Sequence, residues 1–337
     1  MPALRTAPRT ARTRRHAWAA PILAAAFLLT ACGNPSEEET ARTGNAGAAD
    51  GTGTRINTSP EQNRIRTAKV DEIAAALPKR IRDRGTLEVA NSTGSEPPLG
   101  LYATDNKTHI GVEVDIAYLL ADVLGLKVHQ NTVSWENVFI GLDSGKYDVG
   151  VSNITVTEER KDKYDFATYR KDDLAFEARK GSGWKINGPK DVAGRTVAVD
   201  SGTNQEKLLV EWSKEAEKAG LDPVDIKYYQ DQTDTYLALE SGRIDLYLGP
   251  NPTAAYHAAT TGKTEVVGTS SGAGADLQGL IAATTKKGNG LVGPLADALN
   301  TVIDNGTYAQ VLKRWGLSAE AVTRSEINPP GLPRTSS

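Results

Sequence analysis

The chain has 337 residues, 39 basic and 42 acidic side chains, and a formal net charge of −3. Its mild acidity and lack of a basic patch argue against nucleic acid as a partner and against direct binding to anionic lipid. Cys32 is the sole cysteine, so an internal disulfide is excluded and stability must come from packing.

Residues 1–31 have the pattern of a secretory signal. Five arginines and no acid precede the apolar run AAPILAAAFLL, which is too short to span a bilayer comfortably as a permanent helix. The run ends in LTAC, residues 29–32, which resembles the bacterial lipobox, where the cysteine is diacylated and becomes the mature N-terminus. We therefore expect a lipoprotein whose lipid on Cys32 anchors it outside the cytoplasm, on the cell membrane. Loss of residues 1–31 would take the net charge from −3 to about −8.

Residues 32–69 are predicted to form a flexible tether. This segment is rich in Gly, Ser, Thr and acids and contains almost nothing apolar, so it cannot bury enough surface to fold. The ordered part is expected to start near Val70. About 260 residues then remain, which suits two modest domains.

The first predicted unit alternates helices and strands. A helix over 70–85 is interrupted at Pro78, and a strand covers 86–91. A helical stripe of apolar residues precedes Gly125, and then come a strand, a short helix and the strand YDVGV, residues 147–151. This order predicts a parallel sheet with helices on its faces.

The pattern begins again after a strand around 173–179. TVAVD, IKYY and IDLYLG are predicted strands separated by helices, and SGRIDLYLG repeats the earlier phrase SGKYDVGV. A strand out near 174 and a strand back near 280 imply a two-stranded hinge, and two terminal helices follow. We therefore predict one lobe from 70–176 plus 282–330, and a second lobe from 177–281.

Two polar junctions follow strands at corresponding positions of the two units. SNITVTEER, residues 152–160, follows the strand in the first unit, and VDSGTNQE, residues 199–206, follows a strand in the second. Ligands of open α/β sheets bind beyond the carboxyl ends of the strands, and the free amides of a helix N-terminus suit a carboxylate. Arg160 could grip the same carboxylate through a bidentate pair of hydrogen bonds.

Each of these features also has a plain structural interpretation. Thr157 can cap a helix. Arg160 can pair with Asp162 or Asp165 as a solvated charge, and residues 202–204 can form an ordinary strand-to-helix turn. The matching positions of the two junctions, facing each other across a hinge, favour the binding interpretation.

Residues 70–316 resemble the polar-amino-acid branch of bacterial ABC-transporter substrate-binding proteins. The resemblance rests on several strings in the family's order: GVEVDIAYLLADVLGLKV, GLDSGKYDVGVSNITVTEERKDKYDFATY, VAVDSGTNQE, LESGRIDLYLG and VIDNGTYAQVLKRWG. It implies a two-lobed, periplasmic-binding-protein-like (type II) fold, with two doubly wound α/β domains joined by a two-stranded hinge.

The resemblance also assigns the ligand-binding residues. The arginine of the family's T-x-x-R phrase, which binds the ligand α-carboxylate, falls on Arg160. The family's upstream polar positions, which hold carboxylate and ammonium, fall on Ser152 and Thr155, and we include Asn153 between them. The loop that completes the carboxylate site falls on Gly202, Thr203 and Asn204. The aromatic that flanks the ligand side chain falls on Trp135, whose alternative role is core packing.

Two departures from the family pattern concern the ligand's ammonium. The acid that usually follows the strand IDLYLG is absent, since the chain reads Gly249–Pro250–Asn251. The aromatic usual in the first loop is also absent, and Ser95 or Glu96 takes its place. An unpaired ammonium in a closed cleft is costly, so we expect Glu96 to supply the missing negative charge, unless the ligand is not an ordinary α-amino acid.

The resemblance implies an extracytoplasmic receptor that closes on a small polar solute, an amino acid or a similar compound, and delivers it to an ABC permease. We expect a monomer without enzyme activity, cofactor or metal. One alternative is a ligand-sensing subunit for a membrane signalling partner. The other is a cyclohexadienyl dehydratase-like enzyme, which would need a positioned acid and base in the cleft, whereas His109, His129 and His257 belong to no motif.

Overall fold

The computed structural model describes residues 56–92, 97–229 and 231–334. In these ranges the helices are α1 (Asp71–Ala75), α2 (Lys79–Arg84), α3 (Val112–Leu124), α4 (Trp135–Ser144), α5 (Pro189–Val192), α6 (Asn204–Lys218), α7 (Gln232–Ser241), α8 (Asn251–Thr261), α9 (Val292–Asp304) and α10 (Thr307–Arg314). The strands are β1 (Thr86–Ser92), β2 (Leu101–Tyr102), β3 (His109–Ile110), β4 (Lys127–Val133), β5 (Val149–Gly150), β6 (Tyr164–Arg179), β7 (Thr196–Val199), β8 (Asp225–Tyr228), β9 (Leu246–Pro250), β10 (Thr264–Ser271) and β11 (Gly279–Lys286).

The strands form two lobes that share one long strand. In the first lobe the order is β4-β1-β5-β11-β6, and in the second it is β6-β9-β7-β8, with β10 on the other edge of β6. Pairing is parallel among β4, β1 and β5 and among β8, β7 and β9, whereas β6 pairs antiparallel with β9, β10 and β11. The two-lobed α/β architecture predicted from the sequence is confirmed.

The crossing between the lobes lies in the middle of β6. Residues up to Asp172 pair with β11, while Leu174 onward pairs with β9. This change of partner lies a few residues before the expected boundary at 176/177. The chain returns to the first lobe through residues 272–278, which join β10 of the second lobe to β11 of the first. Two segments of the chain, β6 and this return, therefore connect the lobes.

Each lobe has its own apolar core. The larger first-lobe cluster includes α3, whose apolar stripe is at most 1% exposed at Val112, Ile116, Leu119, Leu120, Val123 and Leu124. Gly125 ends that helix in the left-handed region, with φ of 66°, as the sequence predicts. Leu174, Phe176, Val197, Leu209 and Leu246 belong to the main core of the second lobe. Helices connect the parallel strands in both lobes, which leaves the ends of the strands for the site.

The N-terminal segment differs from the prediction of a tether up to residue 69. Ile56 is fully buried in the first-lobe core, and Gln62 is 7% exposed. Arg64 pairs with the buried Asp115, and Arg66 pairs with Asp122. The polar composition did not predict this packing. The segment is held by one buried isoleucine and by two arginines that pair with acids on α3.

The sequence analysis gave no bounds for two elements between β9 and β11. The helix α8 is rich in alanine and threonine and has no clear apolar stripe, and β10 is the short stretch TEVVGTSS. Tertiary pairing with β6 defines β10.

The segment after α10 also packs back onto the first lobe. Leu332 bridges to Thr157 and Ile327 to Ala167, while Glu320 is 5% exposed. None of the described helices has the length and apolar character needed to cross a membrane.

Candidate ligand-binding site

A cavity of about 280 Å³ lies where the strands of the two lobes end. From the first lobe it is lined by Ser92 at the end of β1, Trp135 at the start of α4, and Ser152 and Asn153 after β5. From the second lobe it is lined by the loop after β7 and the starts of α6, α7 and α8. Both predicted junctions thus meet at one cleft, as expected for ligands at the carboxyl ends of parallel strands.

The polar stretch after β5 is fixed by its neighbours. The Ser152 hydroxyl donates to Ser92 Oγ at 2.7 Å and accepts from the Ser92 amide at 2.7 Å. Asn153 adopts a left-handed backbone with φ of 51°, which asparagine tolerates better than most residues. Its Oδ1 accepts from Arg170, so its side chain is held in place.

Arg170 is the centre of a buried charge cluster behind the cavity. It is 1% exposed and pairs with Glu113 on α3 and with Glu320 in the C-terminal segment. The Tyr169 hydroxyl donates to Glu113 as well. A buried guanidinium flanked by two carboxylates is compensated and well ordered, so the cluster fixes the position of Asn153.

Arg160 lies against the cavity wall and reaches the opposite lobe. Its guanidinium is 5.3 Å from the centre of the Trp135 ring and 5.2 Å from that of Phe139. It donates to the Thr155 carbonyl at 2.9 Å in its own lobe and to the Gly202 carbonyl at 3.2 Å in the second lobe. Burial lowers the pKa of Arg160 to about 10, with partial compensation from Asp172 and Glu159, so it stays cationic at neutral pH.

The same contacts bear on the alternative interpretations of this stretch. Thr157 Oγ1 accepts from the Arg160 amide at 3.0 Å, just before the short 3₁₀ turn Arg160–Asp162, which has no side-chain cap. Asp162 pairs with Arg334, and Arg160 makes its hydrogen bonds to the two carbonyls.

The loop after β7 forms the facing wall. Gly202 has φ of 75°, and Thr203 caps α6 by accepting from the Glu206 amide at 3.2 Å. The Glu206 carboxylate accepts from the Gly202 amide at 2.6 Å, an arrangement close to a capping box. Trp135 Nε1 donates to the Gly202 carbonyl at 3.4 Å, so two first-lobe side chains share this one acceptor.

A buried carboxylate joins two of the predicted site residues to each other. Asp172, at the crossing in β6, accepts from the Thr155 hydroxyl at 2.7 Å and from Asn204 Nδ2 at 3.1 Å. Asn204 Nδ2 also donates to the Gly272 carbonyl at 3.0 Å. Burial raises the pKa of Asp172, and these hydrogen bonds oppose the shift. Thr155 and Asn204 therefore bind a protein carboxylate that the sequence analysis did not single out.

The predicted residues differ in their relation to the cavity. Trp135, Ser152, Asn153, Thr203 and Asn204 line it, while Arg160, Thr155 and Gly202 adjoin residues that do. Glu96, and Ser95 beside it, lie outside the described residues, as does Cys32, so their assignments stay predictions.

Several lining residues were missed in the sequence. They are Ser92, Leu99, Ser134, Glu136, Asp200, Ser201, Gln205, Tyr229, Asp231, Gln232, Tyr247 and Thr253. Asp200 directly follows TVAV, and Asp231 precedes a predicted helix. The rule that sites lie at the carboxyl ends of parallel strands was enough to single out both acids.

Histidines and metal-ligand clusters do not contribute to this cavity. His109 contacts Thr132, His129 contacts Glu88, and the buried His257 contacts Glu177 at 2.6 Å, so each of these three lies outside the lining. Among the described residues no group of His, Cys, Asp and Glu is arranged to hold a metal ion.

The chain is similar to known solute-binding proteins. The model of the bacterial extracellular solute-binding proteins, family 3, matches residues 89–318. The L-cystine-binding protein TcyJ of Escherichia coli K12 is 30% identical over 240 residues, covering 71% of this chain and 85% of that protein. The arginine-binding protein ArgT of Corynebacterium glutamicum is 28% identical over 261 residues, covering 77% and 83%. An ancestral arginine-binding protein bound to arginine superposes with a TM-score of 0.60 at 28% identity, covering 69% and 98%.

The close packing where the chain crosses between the lobes predicts that Gly272→Ala destabilises the protein. A Cβ at this position would lie 1.7 Å from Asp172 Oδ2 and 3.0 Å from Asn204 Nδ2, so the carboxylate must shift and lose hydrogen bonds. We expect the free energy of unfolding in urea to fall by about 1–3 kcal/mol. Gly293→Ala is the control, because its Cβ meets no atom within 4 Å and it lies in α9. Equal unfolding free energies of the two variants would contradict the packing around Asp172.

Proposed function

Because the chain belongs to family 3 of the bacterial extracellular solute-binding proteins, we propose that it is the receptor that captures an amino acid, or an amino-acid-like compound, for an ABC permease. Its relatives include proteins named for binding cystine and arginine. The observation that carries the proposal is the position of Arg160. This cation of the first lobe lies within 3.2 Å of the loop that opens α6 in the second lobe.

The ligand's carboxylate is assigned to the space between Arg160 and the N-terminus of α6. A guanidinium has five N–H donors and the two contacts to carbonyls use two, which leaves three for a ligand. The first amides of α6 have no intrahelical acceptor and carry partial positive charge. The Thr203 hydroxyl caps the same helix end, and the Trp135 ring centre lies 5.3 Å from the guanidinium. Both partners of the carboxylate are cationic or donors, as this anion requires.

The ligand's α-ammonium is assigned to Glu96. Position 250, where the family usually has an acid, is a proline that lines the cavity. Glu96 follows β1 in the sequence, and we propose that its carboxylate replaces that acid. Ser152 and Asn153 would supply further polar contacts from the same wall.

Capture follows from closure of the two lobes. Arg160 belongs to the first lobe and the N-terminus of α6 to the second, so a bound carboxylate contacts both lobes only when they are close together. A ligand that makes these contacts shifts the hinge equilibrium toward the closed form. The permease would then recognise the closed form.

The anchoring lipid remains assigned to Cys32. A diacylated N-terminal cysteine would hold the receptor, as a monomer, on the outer face of the cell membrane. Cys32→Ser would release the protein from the membrane fraction into the medium or periplasm; retention would contradict the anchor.

A receptor without enzyme activity fits the comparisons better than a dehydratase. Relatives of the chain are named for binding cystine and arginine, whereas dehydration would require a positioned acid and base in the cleft. The alternative function, a ligand-sensing subunit, differs from a transport receptor only in the membrane protein that it contacts. Loss of solute uptake on deletion of the receptor, with signalling unaffected, would favour the permease.

Removal of the guanidinium should abolish tight binding of every α-amino acid. We expect Arg160→Gln to lower affinity about 10- to 150-fold, since a hydrogen-bonded charged contact contributes about 1.5–3 kcal/mol. Isothermal titration calorimetry of the full chain in detergent measures this. Arg243→Gln is the control, because Arg243 is exposed in the second lobe. An unchanged affinity for Arg160→Gln would overturn the carboxylate assignment.

Glu96→Gln tests the ammonium assignment separately. The variant should weaken binding of all α-amino acids by a similar factor, about 10-fold or more, because the α-ammonium is common to them. Analogues that lack the α-ammonium should lose little. Equal affinity of the variant and the native chain for every amine would remove Glu96 from the site.

A further inference from the structure

The charges that line the cavity are all negative in the described part of the chain. Glu136, Asp200 and Asp231 are among the lining residues, and no lysine, arginine or histidine is. Arg160 lies behind Trp135, toward the start of α6. The described lining therefore forms an acidic wall, and Arg160 lies beside it in contact with Trp135 and Gly202.

Asp200 is a carboxylate of this wall with no counter-charge. It follows β7, and among the described side chains it makes no hydrogen bond or ion pair through its carboxylate, while its carbonyl accepts from Thr203 at 2.6 Å. Asp200 is an exposed residue that lines the cleft, where neighbouring protein atoms remove part of the water from its carboxylate. This desolvation raises the pKa of Asp200 to about 6. Asp231, by contrast, already has a structural role, because its carboxylate caps α7 by accepting from the amides of Thr233 and Asp234.

Gln205 supplies a second, independent observation beside Asp200. Its side chain lines the cavity although the residue is only 7% exposed, and its buried Oε1 has no hydrogen-bond partner. An unpaired buried acceptor is costly unless a donor completes it. Asp200 begins the loop after β7 and Gln205 is the second residue of α6, which follows that loop. Both side chains line the cavity and offer acceptor oxygens, which suit a group rich in N–H donors.

We propose that Asp200 and Gln205 receive a cationic, N–H-bearing group at the distal end of the ligand, so that the receptor selects amino acids with a basic side chain. The proposal rests on the proposed function, because it assumes that the α-carboxylate lies at Arg160. With that end fixed, the side chain extends toward the acidic wall. A guanidinium or ammonium there pairs with Asp200 and donates to Gln205, whereas a neutral side chain leaves the carboxylate without a counter-charge.

Arginine and citrulline provide the matched ligands for the test. They share shape and α-groups, but citrulline carries a neutral urea in place of the guanidinium. In calorimetry on the full chain in detergent, arginine should bind at least about 10-fold more tightly than citrulline. Asp200→Asn should remove most of this preference by weakening arginine alone, whereas Glu96→Gln should weaken both ligands equally. Comparable affinities of the native chain for arginine and citrulline would overturn the proposal.

A pH series on the native chain tests the same point without a variant. As pH falls from about 8 to about 5, Asp200 gains a proton near its pKa of about 6 and loses its charge, so arginine affinity should fall relative to citrulline affinity. The other titratable groups around the cavity, Glu136 on α4, Asp231 before α7, Tyr229 after β8 and Tyr247 on β9, face both ligands. A constant ratio of the two affinities over this range would contradict the role of Asp200.

The outcomes separate the two proposals. Binding of neutral amino acids such as glutamine as tightly as arginine would leave the receptor function standing and overturn the basic-side-chain selectivity. Failure to bind any amino acid, by a chain whose thermal unfolding remains cooperative, would overturn the receptor function and with it this inference.

Discussion

The contact between the Arg160 guanidinium and the Gly202 carbonyl is the interaction on which the rest of the site depends. It brings the one cation of the first-lobe junction to the helix end of the second lobe, across the cleft. Two aromatic rings and a carbonyl hold the guanidinium from behind. The Glu159–Lys207 ion pair joins the same two segments from the solvent side. In the proposed function, an anion in this space would contact donors from both lobes, which would couple binding to closure.

The buried carboxylate of Asp172 gives the crossing a second role besides connecting the lobes. It lies in β6 where the sheet partners change, and it binds Thr155 of one lobe and Asn204 of the other. These two side chains look available to a ligand in the sequence, yet their donors are directed at the protein. Arg170 has a related role, because its two carboxylate partners orient the guanidinium that holds Asn153. These buried charges thus fix the positions of side chains in and beside the cavity wall.

The fold was predictable because its signals are local and periodic. The apolar stripe of α3, the stop at Gly125 and the repeated strand phrases each depend on nearby residues alone. The packing of Ile56, the strand β10 and the return of residues 318–332 depend on distant partners, so composition could not reveal them. In the site, the motif placed Arg160, Trp135 and Thr203 at the cleft. The partners of Thr155 and Asn204 required knowledge of where Asp172 lies in the long strand, and the unpaired state of Gln205 and Asp200 is a property of the folded cleft.

The most direct test of the account is a crystal structure of the full receptor with bound arginine. The account predicts that the two α-carboxylate oxygens lie within hydrogen-bond distance of the Arg160 guanidinium and of the first amides of α6, with both lobes in contact with the ligand. An arginine bound in the opposite orientation, or held by one lobe alone with Arg160 still directed only at the two carbonyls, would contradict it.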